Sequence, residues 1–187
     1  MLIKSVSFCY EAMERTNTRK FYMFGTSFEM NKRRENFIAQ KKPKDDSMAY
    51  EEIKIRILLV EDQVEDVEMF QAMCHQMVYK NELICFPTGM KAVEYLQDLS
   101  EQPTKLPHLI ILDLGLPGEY GLDILKQIKE MPYCASIPIA IQTGSDKRED
   151  ITNSYRFGGT VFMKKLFDPN AFNEIIENLI ISGQIKK

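Results

Sequence analysis

Between Ile53 and Gly183 the chain repeats one pattern five times: a short apolar run, then a longer stretch with apolar residues three and four apart. The first run is Ile55-Arg-Ile-Leu-Leu-Val60, and a helix is predicted from about 63 to 79, with Val64, Val67, Phe70, Met73, Cys74 and Met77 at helical spacing. The second run, Glu82 to Phe86, precedes Gly89 to Leu99, where Met90, Val93 and Leu96 share a face. Leu109-Ile-Ile-Leu112 ends on Asp113 and precedes Leu122, Ile124, Leu125 and Ile128. Ile137 to Gln142 precedes a polar helix starting at Lys147, with Ile151, Tyr155 and Phe157 among its apolar positions. Val161-Phe-Met163 leads to a last helix holding Phe172, Ile175, Ile176, Leu179 and Ile180, with Asp168 and Asn170 available as caps. Consecutive apolar residues in runs this short predict strands buried on both faces.

Strands that alternate with helices make βαβ units, and right-handed crossovers place the helices on both faces of a parallel sheet. The expected fold class is therefore α/β: a (βα)5, doubly wound, parallel five-stranded sheet in the flavodoxin-like order 2-1-3-4-5. Few residues follow Ile180, so no attached output domain is expected.

Residues 1–50 break the rhythm, showing neither period. The segment from Asn31 to Asp46 is dominated by charge and runs into Lys41-Lys-Pro-Lys-Asp-Asp-Ser47, a linker-like stretch. The head also carries Phe8, Tyr10, Phe21, Tyr22, Phe24 and Phe28, which is not the composition of typical disorder. It reads either as an ordered or partner-binding extension, or as an over-long gene reading whose natural start is Met48. The second is preferred, because the regular pattern begins a few residues after Met48. The chain divides accordingly into a basic extension, 1–50, and a domain, 51–187.

Composition narrows the function. Residues 1–47 hold ten Lys/Arg and six Asp/Glu (10 − 6 = +4), and the rest hold fourteen and twenty-one (14 − 21 = −7). An acidic globule offers no general field for nucleic acid, and no helix-turn-helix pattern follows it, so DNA binding is disfavoured. No apolar run reaches membrane-spanning length, and Lys4 interrupts the apolar start, so a cytoplasmic protein is expected. Cys9, Cys74, Cys85 and Cys134 form no CxxC pair, and with only His75 and His108 beside them structural zinc is rejected.

In doubly wound sheets, ligands meet the C-terminal ends of the strands near the switch in strand order. Those ends carry Glu61-Asp62, Asp113, Thr143 and Lys165. The acidic pair alone could be a helix cap. Asp113, followed by Leu114-Gly-Leu-Pro-Gly118, caps nothing, and a carboxylate ending an apolar strand needs water or a cation. Clustered carboxylates repel, and magnesium, which prefers oxygen ligands and water, resolves the repulsion. A lysine and a threonine beside them shape the site for a phosphoryl group, with Asp113 as nucleophile.

At these residues the chain resembles the receiver domain of two-component response regulators, over residues 53–183. The resemblance lies in Leu58-Leu-Val-Glu-Asp62, Leu112-Asp-Leu-Gly-Leu-Pro117 with Gly121, Ile137-Pro-Ile-Ala-Ile-Gln-Thr143 and Phe162-Met-Lys-Lys165. Thr143-Gly-Ser-Asp-Lys-Arg-Glu-Asp150 and Pro138 are similar in style to stand-alone regulators paired with phytochrome-like histidine kinases. The resemblance implies that Asp113 accepts phosphoryl from a sensor histidine kinase or a phosphotransfer protein. It implies Mg2+ held by Asp62, Asp113 and the backbone carbonyl of Gly115, with Glu61 assisting through water. Lys165 and Thr143 would contact the phosphoryl group, and Phe162 would change rotamer as the surface around the fourth helix and fifth strand shifts. The resemblance implies a signalling protein rather than an enzyme, its only catalysis being its own phosphorylation and dephosphorylation. The signal would pass to a downstream protein target or a further histidine protein. A homodimer through Ile151, Tyr155, Phe162 and Phe172 is one route, unless those side chains fill the core.

Two positions depart from the pattern. Leu166 follows Lys165 where the family usually has a proline in a cis peptide. Gly115 stands where many relatives carry a larger polar side chain, which exposes the phosphoryl group to water and predicts an altered phospho-Asp lifetime. A phosphatase of the haloacid-dehalogenase type is disfavoured, because its second Asp would fall at Gly115, which transfers no proton. A phosphorylation-independent pseudo-receiver is the remaining alternative, and it normally lacks Asp113, Thr143 or Lys165, all of which are present.

Overall fold

The computed structural model describes residues 22–23, 54–144, 148–165 and 168–185. Five strands and five helices alternate: β1 Ile55–Val60, α1 Val64–Cys74, β2 Asn81–Phe86, α2 Gly89–Asp98, β3 Leu109–Asp113, α3 Gly121–Glu130, β4 Ile139–Thr143, α4 Arg148–Arg156, β5 Val161–Lys164 and α5 Pro169–Ile181. The strands pair in parallel in the order β2-β1-β3-β4-β5, as the alternation predicts. At the far edge a two-residue strand, Tyr22–Met23, runs antiparallel to β5, with Tyr22 opposite Phe162 and Met23 opposite Val161.

The alternation of each strand's side chains divides the apolar core into two layers. Leu58, Val60, Ile110, Leu112, Ile139 and Ile141 face α2 and α3. Ile57, Leu59, Leu109, Ile111, Ala140 and Val161 face α1 and α5. In the second layer Phe70 of α1 meets Phe172 of α5 edge to face, ring centroids 5.3 Å apart. Phe172 is therefore a core side chain, which removes it from the expected dimer face; Ile151, Tyr155 and Phe162 are half-buried. Val64 and Met90, expected on apolar helix faces, are exposed.

Several element ends differ from expectation for local reasons. Helix α1 stops at Cys74 rather than near 79, because the Asn81 side-chain amide donates to the Cys74 carbonyl (2.8 Å) and so ends the helix from β2. Strand β4 starts at Ile139, since Pro138 has no N–H to give a ladder. At the last helix Asp168 is the cap, its carboxylate accepting from the Asn170 and Ala171 amides, and Asn170 lies inside α5. Among the described residues no helix is long and apolar enough to cross a membrane.

Candidate functional site

Register brings the acidic residues together. Val60 pairs with Leu112, so the residues that follow, Glu61 and Asp113, leave adjacent strands at one level. Asp113 in turn pairs with Gln142, and Thr143 with Lys164, which sets Lys165 beside the same edge. Neither acid of the first pair caps α1: the N-cap is Gln63, and its side chain makes no cap bond.

The carboxylates of Glu61, Asp62 and Asp113 offer oxygens that all lie within 4.8 Å of one another. Glu61 and Asp113 are each 3% exposed, so water screens them poorly. Lys165 reaches into this group. Its Nζ lies 2.9 Å from Glu61 Oε2, 3.1 Å from Asp113 Oδ2 and 2.5 Å from Asp66 Oδ2. Partial burial alone would lower the lysine's pKa, but its bonds to Asp66, Glu61 and Asp113 outweigh that and raise it, so it stays charged. Burial pushes Glu61 above the usual carboxylate range, a shift its hydrogen bonds from Lys165 and the Gln63 amide reduce. Asp113 Oδ1 accepts from the Gly115 amide at 2.9 Å, which leaves this carboxylate fixed by donors on both oxygens.

A divalent cation fits this donor set. Three carboxylates contact one ammonium and a fourth, Asp62, lies beside two of them, an excess of negative charge in a poorly hydrated place. Among the described residues Asp62 Oδ1 is buried without a hydrogen-bond partner, an oxygen that a hard metal ion would satisfy. Glu61 is less available than expected, because Lys165 and the Gln63 amide already occupy its oxygens. The Thr143 side chain and Leu166 lie outside the described residues, so the expectations attached to them do too. Phe162 is half-buried against the core layer of α2 and α3.

Sequence reasoning missed Asp66. Its position in the first turn of α1 reads as an ordinary helix-terminal acid, and its partner is 99 residues away.

Known proteins resemble this chain in sequence and fold. The family described as "Response regulator receiver domain" matches residues 57–177. The response regulator Rcp1 of Synechocystis sp. is 34% identical over 110 residues, 58% of this chain and 75% of Rcp1. The structure of the phosphorylated cyanobacterial phytochrome response regulator RcpA superposes with a TM-score of 0.58 at 29% identity, covering 70% of this chain and 96% of RcpA. The Mn(2+)-bound form of Rcp1 gives a TM-score of 0.55 at 28% identity, covering 71% and 96%.

Proposed function

The chain belongs to the response regulator receiver domain family of two-component systems, and from that premise we propose that it takes a phosphoryl group on Asp113 with the help of Mg2+. The observation that carries the reading is the placement of Asp113: buried at a strand end, one oxygen on the Gly115 amide, the other on Lys165, with two further strand-end carboxylates beside it. An Asp113 oxygen attacks the phosphorus of a phosphohistidine, and the P–N bond breaks with its electron pair going to the imidazole nitrogen. The other ring nitrogen carries a proton throughout, so the products are an acyl phosphate on Asp113 and a neutral histidine on the donor. Lys165 stabilises charge on the phosphoryl oxygens. Asp62, Asp113 and the Gly115 carbonyl would hold the metal, with Glu61 behind them, and bound Mg2+ supplies neutralisation of the charge gathered at the phosphoryl oxygens.

In this reading Thr143 hydrogen-bonds the phosphoryl group and Phe162 relays the change, so that one new charge alters the surface around α4 and β5. The donor is a sensor histidine kinase or phosphotransfer protein. The likeness to RcpA, a cyanobacterial phytochrome response regulator, supports a phytochrome-like kinase, and the receiver acts through a separate protein target. Residues 51–187 are the receiver and 1–50 an extension to it.

Trapping the acyl phosphate tests the assignment. Borohydride reduces an aspartyl phosphate to homoserine, so after incubation with Mg2+ and acetyl phosphate peptide mass spectrometry is expected to find homoserine at position 113. Homoserine at another aspartate, or an unmodified chain, would overturn it.

A further inference from the structure

Asp66 sits close to the site and no step so far uses it. We infer that Asp66 is a positioning residue that holds Lys165 aimed at Asp113. The inference rests on the reading of Asp113 as phosphoacceptor. An ammonium has three protons, and here each faces a different carboxylate: Asp66 at 2.5 Å, Glu61 at 2.9 Å and Asp113 at 3.1 Å. The Asp66 contact is the shortest of the three. Asp66 is not part of the acidic group that could take a metal, which is Glu61, Asp62 and Asp113. Its direct contact is therefore with the lysine and not with the metal ligands.

The three anchors come from separate elements. Asp66 is on α1, Glu61 follows β1 and Asp113 ends β3, while Lys165 follows β5. A lysine side chain carries about 2 kcal/mol of rotamer entropy, and a single ion pair leaves much of that freedom in place. With Asp66 and Glu61 holding two protons, the third is directed at Asp113 Oδ2, beside the atom where a phosphoryl oxygen must be met. The pairing is only partly open to water, with the Lys165 and Asp66 side chains 18% and 19% exposed, so screening weakens it less than at the surface. Asp66 thus arranges the cation before transfer, so that the reaction need not order it.

A merely helix-stabilising acid would behave differently, and Glu65 supplies the control. It lies in the same first turn and is exposed, with Lys165 paired to Asp66 instead. Full-length protein labelled with 15N-lysine is compared as native, Asp66→Asn, Asp66→Glu and Glu65→Gln, the Lys165 resonance being identified by its loss in Lys165→Arg. The Lys165 ammonium signal is expected to be protected from solvent exchange in native, Asp66→Glu and Glu65→Gln protein, and to broaden or vanish in Asp66→Asn. Phosphorylation by acetyl phosphate with Mg2+ is expected to slow about tenfold in Asp66→Asn, the order of loss seen when a group orienting a reactive side chain is removed. The Glu65→Gln rate should match native. An unchanged Lys165 signal in Asp66→Asn overturns the inference, as does a Glu65→Gln variant equal to Asp66→Asn. If native protein takes no phosphoryl group, the function reading fails, while the ammonium signal still decides whether Asp66 holds the lysine.

Discussion

Gly115 stands two residues beyond the proposed acceptor, with its φ outside the left-handed region, so a side chain there meets no backbone strain. A Cβ at this position would touch Asp113 Oδ1 at 3.4 Å and Oδ2 at 3.5 Å, an ordinary van der Waals contact. Gly115→Asn should therefore fold normally and lay an amide over the acyl phosphate, screening it from water. The expected result is roughly fivefold slower loss of phosphoryl, the rate equivalent of about 1 kcal/mol. Decay curves after removal of the donor would show it, and equal decay rates would sink the idea. At this scale the sequence was informative wherever a residue's role follows from the strand it ends. Asp113 and Lys165 were legible because an apolar strand leaves a following charged side chain at one edge. Asp66 was not, because its meaning depends on a lysine far along the chain, brought near by the fold. The convergence of Lys165 with Glu61 at one edge was legible in the same way as Asp113, while the direct pairing of its ammonium with the Glu61 carboxylate was not.

Helix α2 is tied at its start to the loop that follows β3. The Glu119 carboxylate, in the loop between β3 and α3, accepts from the Gly89 amide at 2.6 Å and the Met90 amide at 3.1 Å. Thr88 adds a cap bond from the Lys91 amide. These amides belong to the first turn, where no helical partner exists for them, and the negative charge also suits the positive end of the helix dipole. Glu119→Ala is expected to lower unfolding stability by about 1 kcal/mol, as loss of a cap does. A urea midpoint unchanged from native would contradict the assignment. Nothing local in the sequence marks Glu119, which caps a helix thirty residues before it. The strands were easier to read, because β1 and β3 are apolar on consecutive positions, as burial on both faces requires. Their partners' ends were harder. The apolar Met77 and Tyr79 continue the apolar pattern beyond Cys74 and pack on the core without being helical. Asn81 decides the boundary through a contact that periodicity does not encode.

Across the whole molecule, pH sensitivity is expected from the side of the sheet opposite the site. The Arg56 amide donates to His108 Nδ1 at 2.9 Å, joining the start of β1 to the segment entering β3. Burial, helped by the Arg56 charge, lowers the His108 pKa below its ordinary 6.5. A proton therefore binds the unfolded chain more readily than the folded one. The stability from neutral His108 is complete above 6.5 and is lost as pH falls from there toward the depressed folded value. His108→Asn keeps an acceptor for the Arg56 amide and removes the titration. Between pH 7.5 and 5.5 the native melting temperature should fall further than that of the variant, and parallel curves would refute the linkage. The central claim, that this fold exists to carry a phosphoryl group on Asp113, is tested most directly by intact-protein mass. Native protein and Asp113→Asn would each be incubated with acetyl phosphate, with Mg2+ and with a chelator. A gain of one phosphoryl mass in native protein with Mg2+, and in no other sample, is the predicted result. A gain in Asp113→Asn, or none in native protein with Mg2+ shown to bind, would contradict the account.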